Sequence, residues 1–147
     1  AAEGLWPYLD TGSGMFLQLV DRADLTGNYP ETSGSAMAAY AFLKGTRLGM
    51  LPRNYAARGR GMLDAIARRY LLEENGELHL HGICASAGLG AGPDLRTDRD
   101  GSAAYYLSER QMADNQHGAA ACMLAVAEEM AADSPSRPAA AIDTFAT

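Results

Sequence analysis

The chain has 147 residues, of which 48% are hydrophobic and 20% are charged, and its formal net charge is −6. These values are typical of a single globular domain with a buried core, and they argue against disorder of the whole chain. The negative charge repels phosphate backbones, and no apolar run approaches the roughly 18 residues that a membrane helix needs. We therefore expect neither nucleic-acid binding nor a transmembrane segment.

The first third of the chain predicts a strand followed by a helix. Residues 15–20 form a short apolar run between turn residues, which is typical of a buried strand. A helix is predicted from Ser33 to about Gly49, because Thr32 or Ser33 can cap its start and glycines mark its end. Its first two turns contain mainly small residues, so another helix or a ligand can approach its backbone closely.

Two further helices and one strand are predicted in the rest of the chain. Pro52 occupies the place of a first helical residue, and an apolar stripe follows at helical spacing. Alternating residues predict a short strand from Glu77 to about Ile83. A last helix is predicted from Gly118 to about Ala132. The residues expected to face the core are Tyr55, Met62, Ile66 and Tyr70 on the second helix and Met123, Val126, Ala127 and Met130 on the last.

Two segments have no periodic pattern. Residues 85–100 form a polar, glycine-rich loop, which is long enough to suggest a functional role. Residues 133–147 are rich in Ser, Pro and Ala and are predicted to be a tail. The expected organisation is therefore one domain over residues 1–132, followed by that tail.

The histidines and cysteines are candidate ligands or reactive groups. His79 and His81 would share one face of a strand, which suits a metal ion. No third ligand is fixed, since Cys84, His117 and several aspartates are all available, so no metal site is predicted. With only Cys84 and Cys122 in the chain, free buried thiols are expected rather than a disulfide framework.

Two segments are candidates for binding a polar ligand. Glu31 lies just before the first helix, where it is either a simple N-terminal helix acid or a hydrogen-bond acceptor for the ligand. Ser102 precedes the adjacent Tyr105 and Tyr106, whose rings have an apolar face and a polar tip that suit a sugar. Generic packing of the two tyrosines is the alternative.

The order of several short motifs is more specific than any one of them. In chain order they are Gly14-Met15-Phe16-x-Gln18-x-Val20-Asp21, Glu31-Thr-Ser-Gly-Ser-Ala36, Lys44-Gly45-x-Arg47-Leu48-Gly49, His81-Gly82-Ile83-Cys84, Asp100-Gly101-Ser102, Tyr105-Tyr106-Leu-Ser-Glu109 and His117-Gly118. This series resembles the C-terminal part of the unsaturated rhamnogalacturonyl hydrolases, glycoside hydrolase family 105, which are related to the unsaturated glucuronyl hydrolases. One departure is Asp114-Asn115, where members of the family commonly have Asn-Asp.

The resemblance implies a mainly α fold, the C-terminal part of an (α/α)6 barrel, with helix pairs, short strands and loops. It implies a substrate oligosaccharide with an unsaturated uronic acid at its non-reducing end, such as a rhamnogalacturonan fragment of pectin. The implied reaction protonates the C4=C5 double bond and adds water at C5, and the resulting hemiketal collapses to release the sugar. No metal or other cofactor is implied.

The resemblance covers only the last part of the family's catalytic domain. The aspartate that acts as general acid is expected outside this chain, so no catalytic residue is assigned within it and the isolated chain is expected to be inactive. The residues implied to bind substrate are Glu31, Thr32, Ser33, Ser102, Tyr105 and Tyr106.

Part of a barrel would leave apolar helix faces exposed, so we expect self-association or pairing with the N-terminal half. The alternative function is a non-catalytic carbohydrate-binding or self-associating helical module. The expected free thiols and the lack of a visible signal sequence favour a cytoplasmic location.

Overall fold

The computed structural model describes residues 1–90 and 95–133, and these residues are mainly helical with a few short strands. The helices are α1 (Ala2–Leu5), a 3-10 helix (Trp6–Tyr8), α2 (Thr32–Arg47), α3 (Asn54–Tyr70), α4 (Ala103–Ser108) and α5 (Gln116–Asp133). The strands are β1 (Leu71–Glu74), β2 (Glu77–Leu80), β3 (Ile83–Cys84) and β4 (Gln111–Met112). The predicted mainly helical class is confirmed, whereas the barrel remains a prediction. Within the described residues, no helix has the length and apolar character needed to cross a membrane.

Helix α2 is the centre of the fold, because it packs against both α3 and α5. On the α3 side the backbones approach closely at Gly59, where an added Cβ would lie 2.8 Å from Leu43 Cγ and 3.1 Å from the Ala39 carbonyl oxygen. Phe42 and Tyr55 stack edge to face across the same contact, with ring centroids 5.1 Å apart. A larger residue at position 59 would push the two helices apart.

Small side chains mark the contact between α2 and α5. Ala36 and Ala121 share one buried cluster near the starts of the two helices. Arg47 forms an ion pair with Glu128 nearer their ends. The helices therefore run in the same direction, and their N-terminal ends lie on the same side of the molecule.

The first two predicted helices are confirmed. Helix α2 begins at Thr32, next to the predicted start, and α3 carries the predicted buried stripe with Tyr55, Met62 and Ile66 all at most 3% exposed. Pro52 is not the first residue of α3. Its carbonyl instead accepts from the Tyr55 N–H at 3.0 Å, a turn that leads into the helix.

The predicted strand over residues 15–20 is wrong. Met15 and Phe16 are buried as expected, but the segment makes only isolated bridges and no strand ladder. Phe16 bonds instead to the start of α2, where its N–H donates to Ser35 Oγ at 2.9 Å and its carbonyl accepts from the Glu31 N–H at 2.8 Å. An apolar run can therefore be buried against a helix terminus as well as within a sheet, and its sequence alone does not distinguish the two.

The predicted strand from Glu77 to Ile83 is interrupted. Its first part pairs with β1 in an antiparallel hairpin, with Leu71 opposite Leu80, whereas Ile83 belongs to β3 and pairs with β4. Gly82 separates the two parts with a φ of +71°, a left-handed conformation that a strand cannot continue through. The sequence patterns did not predict β1, β4, α1 or α4.

The last predicted helix is confirmed, but its predicted buried face is wrong. The four residues expected to face the core, Met123, Val126, Ala127 and Met130, are exposed. The buried face carries Ala121, Ala125 and Glu128 instead. The close contact with α2 admits small side chains, so the large apolar residues point away from it.

The predicted loop and tail are only partly described. Residues 91–94 of the loop and residues 134–147 of the tail lie outside the described residues. Asp133, predicted to begin the tail, is the last residue of α5.

Candidate functional site

A cleft of about 440 Å³ lies where the N-terminal ends of α2 and α5 come together. Its lining comes from α1, from residues 16–20, from the start of α2, from β3 and from α5. The residues that line it are Leu5, Phe16, Leu17, Gln18, Val20, Glu31, Ser33, Gly34, Ser35, Met37, Cys84, Ala87 and His117. A cleft lined by both apolar and polar side chains is suited to a sugar, which has both kinds of surface.

The carboxylate of Glu31, which lines this cleft, accepts several hydrogen bonds from the protein. Its side chain is almost entirely buried, and its Oε2 accepts from the Gly34 N–H at 2.6 Å, which caps α2. Its Oε1 accepts from the Cys84 N–H at 3.0 Å. Ser33 Oγ lies 2.8 Å from Oε1 and 2.9 Å from Oε2. The carboxylate is thus held by protein donors on both oxygens, as a buried charge requires.

Thr32 anchors the start of α2 through two hydrogen bonds to the loop after β2. Its N–H donates to the Gly82 carbonyl at 2.9 Å, and its hydroxyl donates to the His81 carbonyl at 2.7 Å. Its side chain has no exposed surface. The geometry therefore makes Thr32 a support that holds the loop after β2 against α2, next to the cleft.

The two cysteines, Cys84 at the cleft and Cys122 on α5, are free thiols. Gln18 Nε2 donates to Cys84 Sγ at 3.3 Å, and Cys84 lines the cleft. Burial raises the pKa of the Cys84 thiol and raises that of Cys122 to about 11. Burial also raises the pKa of Tyr29, which lies beside Cys84. Because a thiolate is the reactive form, these groups fit a structural role.

His117 reaches the cleft because α5 begins in contact with β3. An added Cβ at Gly118 would lie 2.6 Å from Ile83 Cδ1, so only glycine allows this approach. Ile83 immediately precedes Cys84, whose N–H holds Glu31. The close contact therefore places His117, the residue before Gly118, in the same cleft as Glu31.

Three of the predicted site residues lie in the neighbouring loop and in α4, outside the cleft lining. Ser102 caps α4, since its Oγ accepts from the Tyr105 N–H at 3.1 Å. Tyr105 is buried, and its hydroxyl accepts from the Gly88 N–H at 3.1 Å. The Tyr106 ring packs 5.0 Å from that of Tyr105. Because Gly88 follows the cleft residue Ala87, Tyr105 supports the rim of the cleft.

His79 and His81, the two histidines that suit a metal ion in the sequence, each lie beside a carboxylate. His79 Nδ1 lies 2.7 Å from Asp114 Oδ2, and His81 Nε2 lies 2.8 Å from Glu74 Oε1. Asp114 also accepts from the Leu80 N–H at 2.8 Å, which fastens the β1–β2 hairpin to the turn before α5. Within residues 1–90 and 95–133, no three such side chains are arranged to hold a metal ion.

Of the six residues predicted to bind substrate, the structure places Glu31 and Ser33 in the cleft, buries Thr32 behind it, and puts the other three around α4. Sequence reasoning did not assign Gln18, Cys84 and His117 to the site, although all three stand within the motifs that carry the family resemblance. Motif membership was therefore the signal that could have identified them.

Comparison with known proteins identifies the class of this chain. Residues 1–132 match the family described as Glycosyl Hydrolase Family 88. A glycoside hydrolase of family 105 from C. acetobutylicum ATCC 824 is 37% identical and superposes with a TM-score of 0.80, over 88% of this chain and 35% of the other. A possible family 105 member from Salmonella enterica serovar Paratyphi A is 24% identical with a TM-score of 0.67, over 89% of this chain and 30% of the other, and shares the fold.

The chain therefore belongs to glycosyl hydrolase family 88, and the predicted likeness to family 105 is confirmed. Protein Atu3128 from Agrobacterium fabrum and the 24.9 kDa protein in picA locus from Rhizobium radiobacter are each 42% identical to it over 125 residues. Those residues are 82% of this chain and 53% of each relative. The chain thus spans about half the length of these relatives and about a third of the solved structures.

Proposed function

We propose that this chain forms one wall of the substrate cleft in a glycoside hydrolase that releases an unsaturated uronic acid from rhamnogalacturonan-derived oligosaccharides. One observation carries the proposal. Four separate motifs of the family resemblance, which together span residues 14–118, contribute Gln18, Glu31, Cys84 and His117 to the same cleft. Residues from dispersed motifs that meet at one concave surface are a common property of substrate sites.

The proposed reaction is hydration of the C4=C5 double bond of the terminal sugar. An acid gives a proton to C4, water adds its oxygen at C5, and the hemiketal then opens and releases the rest of the saccharide. We assign the general acid to the part of the protein outside this chain. Glu31 is unsuited to that role, because both of its oxygens already accept hydrogen bonds from the protein.

The proposed role of this chain is therefore to bind and orient the saccharide. Ser33 lies at the cleft surface, and its hydroxyl oxygen can accept from a sugar hydroxyl while donating to Glu31. Thr32 holds the start of α2 in place. Ser102, Tyr105 and Tyr106 are proposed to shape the adjoining rim through the contact with Gly88. We also propose a cytoplasmic location, in keeping with two free thiols.

The test is an assay of the full polypeptide encoded with this chain on an unsaturated rhamnogalacturonan disaccharide. Loss of the ultraviolet absorbance of the double bond would measure turnover. We expect turnover by the full polypeptide and none by the isolated 147 residues. General acid catalysis alone contributes a factor of about 10²–10⁴, and the isolated chain would also lose substrate orientation. A full polypeptide that leaves both galacturonyl and glucuronyl disaccharides unchanged would overturn the proposal.

A self-associating helical module is the second candidate, and the exposed face of α5 favours it. Met123, Leu124 and Val126 are between 44% and 72% exposed, so they form an apolar surface that no other described residue buries. Such a surface usually marks a contact with another polypeptide. Native mass spectrometry distinguishes the candidates. Homo-oligomers of the full polypeptide that bind no saccharide would favour the module.

A further inference from the structure

Another buried carboxylate, that of Glu109, lies at the C-terminal end of α4 and outside the cleft. Its side chain is only 5% exposed, and its Oε1 lies 2.8 Å from Arg96 Nη1. The same guanidinium holds Asp98, since its Nε donates to Oδ1 at 3.0 Å and its Nη2 donates to Oδ2 at 2.6 Å. Arg96 therefore joins the loop before α4 to the end of that helix, and it supplies the cation that a buried carboxylate needs.

A chain of hydrogen bonds connects this ion pair to the rim of the cleft. Tyr105 is buried on α4, and its hydroxyl accepts from the Gly88 N–H at 3.1 Å. Burial raises the pKa of Tyr105, the bond from Gly88 opposes this rise, and a hydrogen bond to Glu109 adds to it. The hydroxyl therefore donates to Glu109 while it accepts from Gly88, the residue after the cleft residue Ala87.

We propose that Arg96 and Glu109 are positioning residues, which hold the Ala87 rim of the cleft where it contacts a bound saccharide. In the described part of the chain, neither residue is among those that line the cleft, so both act through Tyr105 and Gly88. The inference rests on the proposed function, because it concerns how the same cleft holds its saccharide. No covalent step is involved.

The removal of Arg96 has a specific consequence for this rim. It leaves the Glu109 carboxylate buried without a cation, which is strongly unfavourable. We expect the carboxylate to turn towards water, so that Tyr105 loses its acceptor and Gly88 is held less firmly. Because the general acid is assigned outside this chain, a displaced rim weakens saccharide binding more than it slows the reaction. Such a change raises KM and leaves kcat nearly constant.

The experiment measures KM and kcat of the full polypeptide encoded with this chain on the unsaturated rhamnogalacturonan disaccharide. Hydrogen exchange of the Gly88 amide, followed by NMR, reports on the rim in the absence of any saccharide. The variants are Arg96→Met, which removes the cation, and Arg96→Lys, which restores it. Arg22→Met is the matched control, because Arg22 binds Asp24 through the same atoms and at the same spacing, where both side chains are exposed.

We expect Arg96→Met to raise KM about ten-fold, to change kcat by less than about two-fold and to speed exchange of the Gly88 amide about ten-fold. Arg96→Lys should reverse most of both effects, since its ammonium can still pair with Glu109. Arg22→Met should match the original protein in KM, kcat and exchange. Amides along α2 should exchange at the original rate in all three variants, because the effect is confined to the rim.

Three outcomes would overturn the inference while the proposed function stands. They are an unchanged KM in Arg96→Met, a lower kcat at the original KM, and faster exchange along α2 as well as at Gly88. The last of these would show that Arg96 supports the whole fold and not the rim. If the original polypeptide does not turn over the disaccharide, the proposed function fails and the inference fails with it.

Discussion

The carboxylate of Glu31 accepts a hydrogen bond from the backbone N–H of Cys84 at 3.0 Å, across 53 positions of the sequence. The same carboxylate caps α2 through the Gly34 N–H. One buried side chain therefore joins the start of the central helix to strand β3, and both of these elements line the cleft. The shape of the candidate site thus depends directly on the stability of this connection.

Replacing Glu31 tests that connection. We expect Glu31→Ala to lower the free energy of unfolding by about 3 kcal/mol, because it removes a helix cap and leaves the buried Cys84 N–H unpaired. Glu31→Gln keeps the size and one acceptor oxygen, so its effect should be smaller. Urea unfolding measures both variants.

Glu3→Ala is the control for Glu31, since Glu3 is an exposed acid on α1. Its unfolding should match that of the original protein. An unfolding midpoint of Glu31→Ala equal to that of Glu3→Ala would show that the Glu31 hydrogen bonds contribute no stability.

Gly118→Ala tests the contact that places His117. Its new Cβ would lie 2.6 Å from Ile83 Cδ1, so we expect a loss of about 1–3 kcal/mol from overpacking. Gly61→Ala, on an exposed face of α3 with nothing within 4 Å of the new Cβ, should instead stabilise by about 0.5–1 kcal/mol. Thermal or urea unfolding distinguishes the two. An equal increase in the free energy of unfolding for Gly118→Ala and Gly61→Ala would contradict the close approach of α5 to β3.

The His79–Asp114 pair should make the hairpin contact dependent on pH. The hydrogen bond to Asp114 raises the pKa of His79 above its ordinary 6.5, and the bond to His79 lowers the pKa of Asp114 below its ordinary 3.8. Stabilisation from His79 is complete below about pH 6.5 and disappears as pH rises through the raised pKa. Stabilisation from Asp114 is present above about pH 3.8 and disappears as pH falls through the lowered pKa.

Nuclear magnetic resonance of the His79 ring protons during a pH titration measures this coupling. We expect Asp114→Asn to bring the pKa of His79 down, while Asp64→Asn, at an exposed position on α3, leaves it unchanged. Asparagine tolerates the positive φ of 53° at position 114, so the backbone there is preserved. A His79 pKa that is the same in both variants would contradict the pairing.

The buried thiol of Cys84 and the half-buried thiol of Cys122 should resist alkylation in the folded protein. Because burial raises the pKa of Cys122 to about 11, its thiolate fraction at pH 8 is very small. We expect iodoacetamide to modify Cys122 about 100-fold more slowly than in the urea-unfolded protein, with Cys84 also slowed. Peptide mass spectrometry over time measures both sites. Modification of Cys122 at similar rates in the folded and unfolded states would contradict its burial.

The local patterns predicted some elements well and others badly. Helices α2 and α3 were predicted close to their observed bounds, since helical spacing is a property of nearby residues. The predicted cap of α2 is wrong, because Glu31 caps the helix and Thr32 and Ser33 lie within it. The apolar run containing Phe16 was assigned to a strand because sequence does not reveal that its hydrogen-bond partners belong to α2. On α5, hydrophobicity predicts that Met123 faces the core, but the residues buried against α2 are Ala121 and Ala125.

The sequence by itself determined the family and the three long helices, because motif order and helical periodicity are visible in the residues without information on how the helices pack. Only the tertiary structure decided that Glu31, Cys84 and His117 share a cleft, because the number of residues between them does not show which parts of the fold come into contact. It also decided that Thr32 is buried and that Tyr105 supports Gly88. The physical reason is that the burial of a residue and its hydrogen-bond partners depend on its neighbours in space. Here the close packing of small residues between the helices selects those neighbours.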